Sequence, residues 1–213
     1  MKHERRDFDK LAAQWDEKPA RLMVGQSIAD AIIRETAPNG GLQVMDFGAG
    51  TGIVSLLLAP RVQRLVAVDS SAGMLAQLEK KLPLLGVDNV ELVQVDVESG
   101  AGLPQGFDLI VSSMTLHHIV DLPALFEAMF AALKPGGRVA LADLDLEDGG
   151  FHQDNHGVVH FGFERQSVLE MLSSAGFEAA RAVDATTILR SRDDGSSANY
   201  SVFLVLANRP RAS

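Results

Sequence analysis

The chain has 213 residues, of which 46 % are hydrophobic and 22 % charged, the balance of one globular α/β domain with a sizeable core. It contains no cysteine, which excludes disulfides, thiolate metal sites and cysteine nucleophiles. Its net charge of −9 repels phosphate backbones, and acids dilute both basic clusters, Lys2 to Arg6 and Arg190 to Arg192, so no nucleic-acid partner is expected. The N-terminus lacks the apolar core of a secretory signal and no stretch approaches the roughly 18 apolar residues of a membrane span, so a cytoplasmic protein without membrane insertion is expected.

In chain order, Ala20 to Thr36 places Leu22, Ala29, Ile32 and Ile33 at helical intervals, and Pro38-Asn39-Gly40-Gly41 stops that helix. A first strand, Leu42 to Phe47, runs into Gly48-Ala49-Gly50-Thr51-Gly52, and Ile53 to Ala59 begins another helix. Further strands are expected at Arg64 to Asp69, Val90 to Val95, Phe107 to Ser112 and Arg138 to Ala142. Asp121 caps a helix with Pro123 in its first turn, which ends at Lys134-Pro135-Gly136-Gly137. Glu164 to Ala175 is a further helix, stopped by Gly176. The last two strands, Ala179 to Thr187 and Tyr200 to Ala207, are joined by a polar connector too short for a parallel crossover, so the sheet should end in an antiparallel hairpin. The expected fold is a doubly wound, Rossmann-like α/β sheet of seven strands, mostly parallel, with helices on both faces.

The glycine loop carries the chemistry. Glycines at 48, 50 and 52 allow a tight turn and bring bare backbone to a ligand at the carboxyl end of a strand. A dinucleotide fingerprint needs a third small residue where Ile53 stands, which weakens a nicotinamide or flavin reading. The second strand ends in Asp69, placed to accept from both hydroxyls of an unmodified ribose. The third is followed by Asp96 and Val97, a carboxylate for an exocyclic amine and an apolar side chain for the ring.

From Val44 to Ala142 the sequence resembles the class I S-adenosylmethionine-dependent methyltransferases. The motifs follow in order: Asp46 to Gly52, Asp69, Asp96, Phe107-Asp108-Leu109-Ile110-Val111, and Leu133-Lys134-Pro135-Gly136-Gly137-Arg138. The resemblance implies that Gly48, Ala49, Gly50 and Gly52 lie along the methionine part of S-adenosyl-L-methionine, with Asp46 ordering the loop and the amino group. It implies Asp69 at the ribose, Asp96 and Val97 at the adenine with Met74 over its face, and Ser70 and Ser112 at the cofactor. Phe8 to Asp16 looks like the lead-in that folds over the cofactor as a lid; Trp15 within it either stacks on a ligand or packs on the helix that follows.

The acceptor should meet the methyl beyond the fourth strand, at Ser112-Ser113-Met114-Thr115-Leu116-His117-His118-Ile119. Relatives acting on adenine or glutamine carry an Asn/Asp-Pro-Pro-aromatic tetrad here, which this chain lacks. Leu-His-His-Ile instead resembles small-molecule enzymes, including the ubiquinone and menaquinone biosynthesis group. His117 or His118 is a candidate base; the competing role is to cap or hydrogen-bond the loop. His152, His156 and His160 are candidates for acceptor binding, proton relay or ordinary loop bonding. They share a four-residue spacing, but Gly157, Val158 and Val159 disfavour a regular helix and no two-ligand signature is present, so no metal is assigned.

The implied function is transfer of a methyl group to a small-molecule acceptor with release of S-adenosylhomocysteine. The alternatives are a binding protein or transferase using the same nucleoside pocket without methylation, and a nicotinamide-dependent oxidoreductase. The expected organisation is one domain: lid and first helix (1–40), cofactor-binding core (42–147), an insertion over the site (148–163), and a C-terminal helix and hairpin (164–213).

Overall fold

The computed structural model describes residues 6–152, 154–191 and 196–212. Most of the basic run from Lys2, and Arg192 to Gly195 of the connector, lie outside the described residues. A seven-stranded sheet runs in the order β3-β2-β1-β4-β5-β7-β6, from β1 (Gln43–Phe47), β2 (Arg64–Asp69), β3 (Val90–Gln94), β4 (Phe107–Ser113), β5 (Leu133–Leu144), β6 (Glu178–Ser191) and β7 (Ser197–Asn208). Strands β1 to β5 are parallel, and β7 lies between β5 and β6, antiparallel to both. The seven-stranded, mostly parallel sheet with its antiparallel C-terminal pair is as expected, though both hairpin strands are longer.

Alternation along the central strands divides the core between the two faces. Met45 and Phe47 of β1 point to one side, with Val66, Val68, Ile110 and Leu141. There they meet α5 (Leu122–Ala132), through Leu125, Phe126 and Met129, and α6 (Arg165–Ser174), through Val168 and Leu172. Val44, Leu65, Ala67, Leu109 and Val111 point to the other side and meet α2 (Pro19–Thr36) and α3 (Ile53–Leu58), through Ile28, Ile32, Val54 and Leu58. Both faces are covered, which is why these strands read as near-continuous apolar runs.

The ends of the helices follow local chemistry. Asp121 Oδ1 accepts from Ala124 N at 3.0 Å and caps α5. Ala37, with φ of 42°, closes α2 just before Pro38. Lys134-Pro135-Gly136-Gly137, expected to separate helix from strand, is part of β5 and shifts the β4–β5 register, which jumps from Phe107 opposite Leu133 to Leu109 opposite Arg138.

Strand order reverses between β1 and β4, since β1 feeds β2 on one side and β4 feeds β5 on the other. In open α/β sheets the crevice beyond the carboxyl ends of such strands holds the ligand. Three segments roof it here: α1 (Phe8–Leu11) with the 3-10 turn Ala12–Glu17, the N-terminus of α4 (Ala72–Leu84), and the stretch 149–163 after β5. No helix among the described residues is long and apolar enough to cross a membrane.

Candidate functional site

A cavity of about 420 Å³ opens at this reversal. Gly48, Ala49 and Gly50 form its floor, and Asp46, Asp69, Ser70, Met74, Asp96 and Val97 stand along one wall. The three loop glycines all have left-handed φ, but for different ends. A Cβ on Gly48 would lie 2.2 Å from Thr115 Oγ1, and one on Gly52 would lie 2.2 Å from Leu78 Cδ1, so both serve close packing. A Cβ on Gly50 would meet nothing within 4 Å. Bare backbone therefore faces the cavity at Gly50, whereas Gly52 packs against α4 and does not line the cavity.

Asp69 ends β2 and ties the loop together. Its Oδ2 accepts from Gly50 N at 2.7 Å and its Oδ1 from Ser71 N at 2.8 Å. Each carboxylate oxygen has a second lone pair, so both can still accept from a ligand diol. Burial raises the Asp69 carboxyl above its ordinary range, against the hydrogen bonds from Ser71 and Gly50. Asp46, 1 % exposed, accepts from Ser55 Oγ at 2.6 Å, and burial pushes its carboxyl up to about 7. A cation beside it would restore the carboxylate. Asp96 also caps the short turn after β3, its Oδ1 accepting from Glu98 N at 3.1 Å. Met74 is held by the cap of α4, where Ser71 Oγ accepts from Met74 N at 3.0 Å. A half-buried carboxylate with acceptor positions still open, a buried acid short of counter-charge and an open backbone cradle together fit an adenosylmethionine.

Ser112 does not line the cavity. Its hydroxyl donates to Phe47 O at 2.8 Å between strands, and because β4 runs one residue further than expected, Ser113 reaches the wall. Ile53, read as an obstruction to a pyrophosphate, does line the cavity, and packs against Gly25 of α2. A Cβ on Gly25 would lie 2.6 Å from Ile53 Cγ2, so this helix glycine makes room for the branched side chain, a relation that sequence spacing does not reveal.

His117, His118 and His152 line the same cavity. His117, 1 % exposed, brings Nδ1 to 2.7 Å from Oδ1 of Asp143, which is itself fully buried near the end of β5. Asp143 also accepts from His117 N at 3.2 Å and Leu144 N at 2.8 Å. Burial alone would raise the Asp143 carboxyl, but the His117 ring and these hydrogen bonds outweigh it and hold it below the ordinary carboxylate range. Sequence reasoning missed Asp143; the available signal was a single acid inside the apolar run Val139 to Leu144.

The ring centroid of His118 is 4.1 Å from that of His117, and that of His152 is 5.1 Å. His118 Nδ1 lies 2.9 Å from Gly157 O. A carbonyl only accepts, so Nδ1 carries the proton and Nε2 the lone pair. Burial, reinforced by His117, pushes both His118 and His152 down to about 3, so both stay neutral across the physiological range. Of the three histidines in the 149–163 stretch only His152 lines the cavity. His156 is exposed, and His160 donates from Nε2 to Ile119 O at 3.0 Å. That stretch is clipped onto the site by Val159 N and His160 N, both donating to His117 O. Among the described residues no group of three His, Asp or Glu side chains is arranged to hold a metal ion.

The N-terminal segment closes the roof with two carboxylates that sequence reasoning left unassigned. Asp9 Oδ1 accepts from Ser71 Oγ at 2.6 Å and Gly73 N at 2.7 Å. Asp16 Oδ1 accepts from Thr51 Oγ1 at 2.6 Å, and Lys81 bridges Asp16 to the Thr51 carbonyl. Trp15 lines the cavity, and Arg21 of α2 lies 3.8 Å above its ring, so the indole is pinned to that helix while bordering the site.

Residues 44–137 match a family described as a methyltransferase domain. An uncharacterized methyltransferase of Schizosaccharomyces pombe is 30 % identical over 158 residues, 67 % of this chain and 56 % of that protein. A demethylmenaquinone methyltransferase of Clavibacter sepedonicus is 33 % identical over 138 residues, 64 % of this chain and 56 % of the relative. The chain thus spans little more than half the length of these relatives. Phosphoethanolamine N-methyltransferase 2 of Haemonchus contortus, in complex with S-adenosyl-L-methionine, shares the fold with a TM-score of 0.72 at 18 % identity, covering 97 % of this chain and 60 % of that one. Family match, ordered motifs and sheet topology agree, and the chain carries a class I S-adenosylmethionine-dependent methyltransferase domain.

Proposed function

We propose that the chain transfers a methyl group to a small-molecule acceptor held between the glycine loop and the histidines. The observation that carries this reading is their shared cavity: the adenosyl-type residues and His117 line one space with no partition between them. S-adenosylmethionine, when bound, supplies an electrophilic methyl on a sulfonium, set for in-line displacement. Asp69 would hold the ribose hydroxyls, Asp96 and Val97 the adenine with Met74 over its face, and Gly48 to Gly50 the methionine part near Asp46.

The chain's own contribution is alignment, dryness and proton handling. Fixing two reactants in a near-attack pose is worth roughly 7 to 11 kcal/mol, so no elaborate catalytic array is required. The lid formed by Phe8 to Glu17 excludes water once its Asp9 and Asp16 contacts are made. Asp143 accepts the Nδ1 proton of His117, which leaves Nε2 as the lone-pair atom for an acceptor that must lose a proton. His117 is then the base and Asp143 its positioning residue, with His118 a second neutral acceptor beside it. Incubation with methyl-labelled S-adenosylmethionine and a panel of small hydroxyl, amine and carboxylate acceptors tests this reading. Label in an acceptor with matching release of S-adenosylhomocysteine supports it, and cofactor binding without transfer to any member opposes it.

A further inference from the structure

Three arginines line the cavity of a protein whose net charge is −9, and Asp154 of the stretch after β5 lines it with them. Arg6 from the N-terminal segment, Arg21 from α2 and Arg190 from the end of β6 come from three separate parts of the chain and line the same space. They are close enough for charge repulsion. After burial, Arg6 and Arg190 are the next causes that lower the Arg21 guanidinium, with Asp16 acting the other way, and both arginines also act on His152. Among the described residues none of the three forms an ion pair with an acid, whereas Arg64, Arg165 and Arg181 elsewhere all do.

Each is held by something other than a counter-ion. Arg21 rests on Trp15 and donates to its carbonyl at 3.2 Å. Arg190 lies 4.2 Å from the ring centroid of Phe151, a residue 3 % exposed. The backbone of Arg6 packs so tightly on Gly157 that a Cβ there would lie 2.2 Å from Arg6 N. Two nitrogens here, Arg190 Nε and His152 Nε2, are buried with no hydrogen-bond partner among the described residues. Stacking guanidinium groups on aromatic rings without an ion-paired acid is costly unless a ligand supplies the charge.

We propose that the acceptor is an anion, a carboxylate or phosphate ester, whose charged group is bound by Arg6, Arg21 and Arg190 beside His152. Its apolar body lies toward Phe8 and the His117–His118 turn, whose rings pack together. Arginine suits this task because its planar donors pair two at a time with carboxylate or phosphate oxygens. This proposal rests on the methyltransferase reading for the identity of the ligand as acceptor, but the anion site itself stands or falls separately.

The test is calorimetric titration of the S-adenosylhomocysteine-saturated chain, at constant ionic strength, with benzoate, phenyl phosphate and the neutral analogue benzamide. Binding of at least one anion, at least tenfold tighter than benzamide and weakened tenfold or more in both Arg6→Gln and Arg190→Gln, is expected. Which anion binds separates carboxylate from phosphate recognition. S-adenosylhomocysteine affinity, measured in parallel, should be unchanged in both variants, which shows that they fold. Anions that bind no better than benzamide, or that bind both variants as well as the native chain, overturn the proposal even where S-adenosylhomocysteine binds. If the anions bind through the arginines but S-adenosylhomocysteine does not, the anion site stands and the methyltransferase reading falls.

Discussion

Asp46 and Asp69 illustrate how much a single carboxylate does in this site. Asp69 holds Gly50 and Ser71 as well as facing the cavity, so Asp69→Ala should weaken S-adenosylhomocysteine binding by about 1 to 3 kcal/mol, read by calorimetry. Unchanged affinity would show that the ribose assignment is wrong. For Asp46 the sign follows from its folded-state value of about 7 against an ordinary value of 3.8. Between these two the folded chain keeps a proton that the unfolded chain has lost, so this residue's contribution to stability declines as pH rises from about 4 to 7. The stabilising effect of Asp46→Asn should therefore grow by roughly 2 to 3 kcal/mol between pH 5 and pH 8. Thermal melts at both pH values check this, and an equal effect at both would mean that Asp46 is ionised throughout. That Gly48, Gly50, Asp69 and Asp96 gather at one cavity could be read from the sequence because it follows from short spacing at strand ends. Asp143 could not, since its meaning arises from His117, which lies 26 residues away in the chain and meets it only when β4 and β5 pair.

At the scale of elements, the roof depends on a few polar clasps. Asp16→Ala removes the acceptor for Thr51 of the glycine loop and the partner of Lys81 of α4. Hydrogen exchange across residues 8–17 should then accelerate by an order of magnitude or more, and S-adenosylhomocysteine affinity should fall several-fold. Exchange as slow as in the native chain would mean that the lid is held by its packing alone. Helix α2 meets α3 at Gly25, where a Cβ would collide with Ile53. Gly25→Ala is expected to cost about 1 to 3 kcal/mol in chemical denaturation, despite the better helix propensity of alanine. Elements with a strong period or caps, such as α2 and α5, were legible in the sequence. The 149–163 stretch was not, because its shape is set by hydrogen bonds to His117 and His118 and by no repeating pattern of its own. Hence its three histidines looked equivalent in sequence, yet only His152 reaches the cavity.

Across the whole molecule, one sheet positions everything. β7 is inserted between β5 and β6, and its residues Val202 to Val205 are completely buried, so the C-terminal hairpin completes the core that supports Asp143. Leu204→Ala should lower stability by about 2 to 5 kcal/mol in denaturant titration while leaving S-adenosylhomocysteine affinity of the folded protein unchanged. This sheet presents an adenosylmethionine site and not a dinucleotide site. Calorimetric titration with S-adenosylhomocysteine and, separately, with NADH tests it most directly. Saturable binding of S-adenosylhomocysteine with none for NADH is the predicted result, and binding of NADH with none for S-adenosylhomocysteine would contradict it.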